Sequence, residues 1–319
     1  MAQLEVKFKI HKGLAVAIAV AAVALLAVLI ALAVRGCRAV TAEPEVIDPH
    51  AGQVQVNDGV GLVWITPAEG AAVSSLTAED FAADEETGWP VYTGEDFTAL
   101  RGIDVADFQK NIDWAAVKAA GIDFAIIRCG YRGYEQGTLN PDSEFAASID
   151  GAKAAGLQVG AYYFSQATTP DEAAQEALHA LTLCYGYELD LPIYWDWERL
   201  TGVDARANHV AMEDLTDIAV AFCTTIEKNG YEAGIYFNRQ LGYYAYDWAR
   251  LTDYEAWVAD YNSYPDFYYR TDVWQYSPGA EVPGVDIITD MNLRFVPKET
   301  APLLRKKPIN TARQHAQCH

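Results

Sequence analysis

The sequence predicts an α/β barrel of five strand–helix units followed by three strands, preceded by a membrane-spanning helix and an acidic spacer. Three observations predict it. Over residues 101–237 short β-forming runs alternate with stretches of helical period, after residue 247 three strand-like pieces stand too close together for full crossover helices, and residues 14–34 carry no charge.

The apolar run at 14–34, LAVAIAVAAVALLAVLIALAV, would span about 32 Å as a helix, enough to cross a bilayer. Lys7, Lys9 and Lys12 precede it and Arg35 and Arg38 follow, so the positive-inside bias is slight. The run exceeds the apolar region of an ordinary signal peptide, which favours a retained signal anchor with residues 1–13 as a short cytoplasmic N-terminus. The expected place is the cell membrane, single-pass, with the bulk of the chain extracytoplasmic, or secreted if the anchor is cleaved. The bulky, charged Arg35 disfavours lipidation at Cys37. Between Arg38 and Arg101 there is no Lys or Arg, while Glu43, Glu45, Asp48, Glu79, Asp80, Asp84, Glu85 and Glu86 accumulate. Residues 35–100 therefore read as a self-repelling, extended linker. Within it residues 60–66, VGLVWIT, lie between Gly59 and Pro67 and predict a short strand or hairpin packed on the domain.

The barrel is expected over residues 101–296. Its first strand covers 101–105 and leads to a helix that Asp113 caps and Gly121 stops. A second strand over 124–129, a helix over 143–155 ended by Gly156 and a third strand over 157–164 come next. Thr169, Pro170 and Glu172 start a helix whose apolar face is Ala174, Ala177, Leu178 and Leu181. The fourth strand is 191–198, LPIYWDWE; Leu215, Ile218, Ala219, Phe222 and Ile226 then recur at helical spacing before a fifth strand over 233–237. The closing strands are 256–260, 272–276 and 286–292. Residues 297–319, with Arg305, Lys306, Lys307 and Arg313, read as a basic tail.

A chain of 319 residues that is 51% hydrophobic can bury a full core. Its net charge of -21 repels phosphate and argues against nucleic acid or anionic lipid as a partner of the folded part. Cys37, Cys129, Cys184, Cys223 and Cys318 form no CxxC and no ordered His/Cys spacing, so neither a zinc site nor a disulfide framework is legible. Cys129, Cys184 and Cys223 read as small core residues. No metal and no cofactor is expected, and the oligomeric state is expected to be a monomer.

In the fourth strand Asp196 and Glu198 share a face with Tyr194, roughly 7 Å apart at their Cβ atoms, while Trp195 and Trp197 take the other. Side-by-side carboxylates raise each other's cost of ionisation, as a proton-donating acid requires. Chemistry in parallel barrels sits at the C-terminal strand ends. Asp104 ends the first strand, Asp196 and Glu198 end the fourth, and Asp290 stands near the end of the eighth, which neighbours the first. No His occupies an equivalent position, and neither Ser165 nor Cys129 has a base nearby in sequence, so a nucleophile triad has no support. A carboxylate cluster without His, Cys or a Gly-rich phosphate loop suits glycoside hydrolysis or a divalent-ion site. Rings in or after strands tip the choice toward sugars, whose apolar faces they stack on: Tyr131, Tyr162, Tyr163, Tyr236, Tyr261, Trp274 and Tyr276. Tyr162, Tyr236, Trp274 and Arg128 are the expected substrate contacts.

The motifs GIDVADFQ (102–109), IDW (112–114), FAIIRCGY, VGAYYFS, PIYWDWE, AGIYFN, WVADY, WQYS and DMN (290–292) resemble those of glycoside hydrolase family 25, the Chalaropsis-type lysozymes, in consistent order over residues 101–296. The resemblance implies a TIM-like (β/α)5β3 barrel that cleaves the β-1,4 bond between N-acetylmuramic acid and N-acetylglucosamine in peptidoglycan glycan strands. It implies Glu198 as general acid and Asp104, Asp196 and Asp290 as the remaining acidic site residues. Ala106 and Asp107 depart from the Ser and the basic or aromatic residue frequent in that family, a change in loop contacts rather than in the acids. An ionised Asp196 would keep Glu198 protonated. Attack would then come from water activated by Asp104 or from the substrate's own 2-acetamido group held by Asp196. The alternatives are a wall-binding domain without turnover, against which the four intact acids speak, and a hydrolase of another acetamido-sugar polymer.

Overall fold

The computed structural model describes residues 12–40 and 48–298, in two compact units, one ending at Ala51 and the other beginning at Gly52. The first holds helix α1 (Lys12–Val40), of which Gly13–Arg35 is long and apolar enough to cross a membrane. Apart from their inner edges, the short N-terminus expected at 1–13 and the basic tail expected at 297–319 lie outside the described residues.

The second unit opens with two antiparallel hairpins, β1 (Val54–Asn57) with β2 (Leu62–Ile65) and β3 (Phe81–Ala83) with β4 (Pro90–Tyr92). Then follow β5 (Phe97–Val105), α2 (Trp114–Ala119), β6 (Phe124–Arg132), β7 (Leu139–Pro141), α3 (Phe145–Ala154), β8 (Gln158–Ser165), α4 (Pro170–Leu183) and β9 (Ile193–Trp197). The chain continues through α5 (Leu215–Lys228), β10 (Ala233–Asn238), α6 (Arg239–Tyr244), α7 (Trp248–Leu251), β11 (Glu255–Ala259), β12 (Val273–Ala280) and β13 (Thr289–Pro297). Eight strands close a ring in the order β5, β6, β8, β9, β10, β11, β12, β13, with β13 paired back onto β5 and β7 hanging from β6.

Neighbours from β5 through β12 are parallel, but β13 is antiparallel to both β12 and β5. The final strand was expected at 286–292 with Asp290 near its end; it covers Thr289–Pro297 and Asp290 is its second residue. The cause is the short connection after β12, which permits an antiparallel return but leaves no room for the crossover a parallel strand needs. Reversal puts the beginning of β13 at the rim where the other strands end, and Asp290 pairs directly with Asp104.

Alternation sorts each strand's side chains into two cores. Inside the ring lie Phe124, Ile126, Tyr194, Trp257 and Val273; outside it Ile127, Trp195, Trp197 and Trp274 pack with helix residues such as Phe222 and Ile226. Capping supports the helices: the Asp113 carboxylate accepts from the amides of Ala115 and Ala116, and the Thr169 hydroxyl from that of Glu172. The face of α4 is rotated from the expected one. Ala173, Glu176, Ala177 and Ala180 are buried and Leu178 is exposed, because Glu176 is drawn inward to Arg132, at 2.7 Å, and to the Ser165 hydroxyl, at 2.6 Å.

The linker expected over 35–100 is folded onto the barrel from Gly52 onward. The short strand expected at 60–66 is β2. Phe81, Tyr92 and Phe97 meet Phe295 edge-on, with ring centroids 5.7 to 6.1 Å apart, and Phe81 also meets Trp274 at 5.4 Å. Charge count hid this because several acids are spent locally rather than repelling one another. Asp84 accepts from the amides of Glu86 and Thr87 and from the Thr87 hydroxyl, and Asp80 from the amide and hydroxyl of Thr77.

Two inward positions are closed to any side chain. A Cβ on Gly102 would stand 2.2 Å from the Phe124 ring, and one on Gly234 would stand 2.4 Å from the Tyr194 ring. Gly234→Ala is expected to cost about 1–3 kcal/mol of unfolding free energy through overpacking. Urea unfolding checks this, and an unchanged midpoint would contradict it.

Candidate active site

At the rim formed by the C-terminal ends of the parallel strands, inward side chains enclose a cleft of about 220 Å³. Strand β9 turns Tyr194 and Asp196 inward and Trp195 and Trp197 outward, and Glu198 follows at its end. The outward Trp197 donates its indole N–H to the Ala167 carbonyl at 3.0 Å, anchoring the strand end. Asp196 stands in register with Phe164 on one side and Tyr236 on the other, so rings flank it. Asp104 and Asp290 enter from β5 and β13 as cross-strand partners. All four sequence-predicted acids line the one cleft.

Amide side chains orient the acids. Asp104 Oδ2 accepts from Asn292 Nδ2 at 2.8 Å and from Gln275 Nε2 at 3.0 Å, and Gln275 Nε2 also reaches Asp290 Oδ2 at 3.3 Å. Two phenols fix that amide by donating to Gln275 Oε1, Tyr236 at 2.8 Å and Tyr261 at 2.9 Å. Trp257 donates to Asn292 Oδ1 at 2.8 Å and thereby aims the Asn292 amine at Asp104. On the opposite wall Gln166 is fully buried and donates to the backbone carbonyls of Ser165 and Glu198, each at 3.0 Å. Its own amide N–H reaches Glu176 at 3.3 Å, so the buried Arg132–Glu176 pair is tied to the backbone that carries Glu198.

The expected substrate contacts divide. Tyr162 and Tyr236 line the cleft, and each meets the Trp257 ring edge-on, at 6.1 and 4.7 Å. Arg128 also lines it, but its guanidinium is engaged by Asp142 at 2.7 Å and by Asp107, and lies 5.2 Å from the ring centroids of both Phe108 and Tyr131. Asp107, where the sequence departs from the family pattern, is thus the residue that ties this loop to Arg128. Trp274 is not at the site. Gln275 takes the inward position on β12, so alternation sends Trp274 into the outer core, where its indole donates to the Asp260 carbonyl. The sequence reading missed Trp257, Gln275, Asn292, Gln166 and Phe108. A lone amide amid the apolar residues of β12 was the available signal for Gln275; Phe108 and Gln166 carried none. Among the described residues no group of three or more His, Cys, Asp or Glu is arranged to hold a metal ion.

The profile of the family described as Glycosyl hydrolases family 25 matches residues 103–285, from the first barrel strand to the turn before the last. The chain belongs to that family. An autolytic lysozyme from Clostridium acetobutylicum is 26% identical to it over 198 residues, 60% of this chain and 55% of that protein. Lysozyme M1 from Streptomyces globisporus is 36% identical over 92 residues, 29% of this chain and 28% of that one. The chain thus spans about half the length of the first of these curated relatives and less of the second. Among solved structures, the modular autolysin LytC from Streptococcus pneumoniae has a TM-score of 0.54 at 21% identity, covering 76% of this chain and 56% of the other. A family 25 glycosyl hydrolase from Bacillus anthracis has 0.51 at 22%, covering 63% and 91%. These structural likenesses concern the fold alone.

The electrostatics of this family 25 cleft follow from burial. Desolvation raises Asp104, against the hydrogen bonds from Asn292 and Gln275. Asp290 is pushed up to about 8, first by desolvation and then by the charge and hydrogen bond of Asp104. Desolvation, followed by the charge and hydrogen bond of Glu198, pushes Asp196 well above the carboxylate range. Glu198 is raised by desolvation and by Asp104 but drawn back by its hydrogen bond with Asp196. Burial therefore raises both members of the Asp196–Glu198 pair, which together retain a proton that two exposed carboxyls would lose.

Asp290 makes this measurable. Its ordinary value is 3.8, so between that and about 8 the folded chain keeps a proton that the unfolded chain has lost. The stability it contributes is complete below 3.8 and is lost as pH rises through 8. Asp290→Asn, neutral throughout, is expected to flatten the decline in unfolding free energy across that window. Urea titrations near its two ends check this, and a slope equal to that of the unsubstituted chain would contradict it.

Proposed function

We propose that the chain is a muramidase of (β/α)5β3 barrel type that hydrolyses the β-1,4 bond between N-acetylmuramic acid and N-acetylglucosamine in peptidoglycan. The observation that carries the reading is the meeting of Asp104, Asp196, Glu198 and Asp290 in one ring-lined cleft whose carboxyls are raised by burial. Membership of family 25 and the likeness to an autolytic lysozyme support it.

Glu198 is the general acid. It is the more exposed of the β9 pair, at the end of the strand where a glycosidic oxygen arrives. Its proton is the one that the Asp196–Glu198 pair, raised by burial, retains in the free cleft. Transfer to the leaving oxygen breaks the glycosidic bond and leaves both carboxylates ionised, so Asp196 then offsets positive charge developing at the sugar. Of the two routes of attack, the substrate's 2-acetamido oxygen is favoured. Asp196 Oδ1 is buried without a partner and can accept the acetamido N–H, whereas the Asp104 carboxylate is already engaged by Asn292, Gln275 and Asp290. Water then adds to the cyclised intermediate, one proton returning to the acid pair. Tyr162 and Tyr236 border the sugars with Trp257 buried behind them, and Arg128 stiffens the wall opposite.

The apolar span Gly13–Arg35 supports single-pass tethering at the cell membrane, and this reading takes the barrel to act as a monomer on the wall side. Glu198→Gln is expected to lower release of reducing ends from purified peptidoglycan by about 10²- to 10⁴-fold, as loss of a general acid does. Mass spectrometry of the fragments is expected to find muramic acid at the new reducing end. Undiminished release by the variant would remove Glu198 from this role, and glucosamine at that end would overturn the bond assignment.

A further inference from the structure

Of the aromatic rings that line the acid cleft, most offer a ligand little more than an edge. Tyr162 and Tyr236 are each 9% exposed, Trp257 is 1% exposed and Phe164 is half-buried. Phe108 differs: it lines the same cleft and is 71% exposed. It stands in the turn that leaves β5 beyond Asp104.

A singly exposed apolar side chain needs no explanation of its own, but this one sits on a turn that is fastened at both ends beside the acids. The Gln109 side chain closes the turn, accepting from the Ala106 amide at 3.1 Å and donating to the Ile288 carbonyl, before β13, at 3.4 Å. The Gln109 amide returns to the Ala106 carbonyl at 3.0 Å. On the other side the Asp107 amide donates to Asp142 Oδ2 at 3.1 Å, and the Asp107 carboxylate accepts from the Arg128 guanidinium, which Asp142 also holds at 2.7 Å. That guanidinium lies 5.2 Å from the centroids of the Phe108 and Tyr131 rings, so Phe108 is backed on one face by a cation held in place. A ring backed on one face and still mostly exposed has its other face open.

We infer that Phe108 is the sugar platform of the cleft: one pyranose of the bound strand lays its apolar face on the open side of the ring, and the Asp107–Arg128 pair holds the ring from behind. A flat hydrocarbon ring matches the C–H face of a pyranose, whose hydroxyls and acetamido group then point away to polar partners. Asp142 and Asp107 offset the Arg128 charge, so the wall behind the ring suits a neutral sugar and offers an anionic polymer no free cation. Because the turn is already closed, binding orders little that was loose, and less of the contact is offset by lost entropy. Phe108 follows β5, whereas Glu198 ends β9, with β6 and β8 between them in the ring. The contact therefore falls on a sugar rather than on the bond being broken, and it is equally strong before and during cleavage. The inference rests on the muramidase reading for the identity of that sugar.

The test uses the full chain in detergent. In a Glu198→Gln background, which binds without turnover, calorimetry measures affinity for a tetrasaccharide of alternating N-acetylglucosamine and N-acetylmuramic acid. Phe108→Ala is expected to weaken it about fivefold to tenfold, whereas Phe108→Trp, which keeps a ring, retains most of it. Asp107→Asn is expected to weaken it about twofold to threefold when Phe108 is present and to add nothing once Phe108 is Ala, since Asp107 acts through the ring. With Glu198 restored, Phe108→Ala is expected to raise KM by a factor like that in affinity, with kcat changed by less than about twofold. Unchanged affinity, Phe108→Trp as weak as Phe108→Ala, or a fall in kcat at unchanged KM would overturn the platform. An Asp107→Asn loss that persists in the Phe108→Ala chain would overturn the clamp. Should the chain with Glu198 intact bind the tetrasaccharide yet cleave no peptidoglycan, the muramidase reading fails, while the affinity comparison still decides the role of Phe108.

Discussion

Four carboxyl groups facing one another in one cleft, each raised by burial, resist being ionised together, and the surrounding residues are arranged around that constraint. Among the residues lining the cleft the single cation is Arg128, and its charge is directed to Asp142 and Asp107. Neutral donors do the orienting instead: Asn292 and Gln275 toward Asp104, Trp257 behind Asn292, Tyr236 and Tyr261 behind Gln275. A neutral amide orients a carboxylate without cancelling its effect on its neighbours, so protons stay in the cleft at pH values where an exposed acid would have lost them.

Backbone topology makes the crowding possible. Because β13 runs against the other strands, its first residues, rather than its last, reach the rim, and Asp290 stands opposite Asp104. Across the ring, β9 delivers Asp196 and Glu198 between the rings of its neighbours. The outer core then holds these ends still. Trp197 is tied to Ala167, and the Glu176–Arg132 pair reaches Glu198 through Gln166. A buried ion pair is a poor source of net stability, but one that grips the backbone of the acid-bearing loop gives conformational definition.

Much of the barrel and the positions of Asp104, Asp196 and Glu198 were legible in the sequence because they depend on local pattern, whereas Asp290 reaches the rim through the reversal of its strand. Alternation alone separates Asp196 and Glu198 from Trp195 and Trp197, and the helix of α5 follows from its spacing. What escaped depended on partners distant in the chain. Leu178 looked like a core residue until Arg132 and Ser165 turned Glu176 inward. Trp274 looked like a sugar platform, yet the facing of β12 is decided by Gln275, which Tyr236, Tyr261 and Asp104 claim from elsewhere in the chain. The acidic segment looked extended because its charges were counted while the rings that fasten it, Phe81 and Tyr92, were not.

The central claim, that this cleft keeps carboxyl protons into the neutral range, is tested most directly by following the side-chain carboxyl carbons of ¹³C-labelled Asp and Glu by NMR across a pH titration. Asp290 is expected to titrate near 8, with Asp196 and Glu198 displaced upward and changing together as a coupled pair. If every carboxyl in the cleft instead titrated at about 3 to 5, the range of exposed acids, the account would be contradicted.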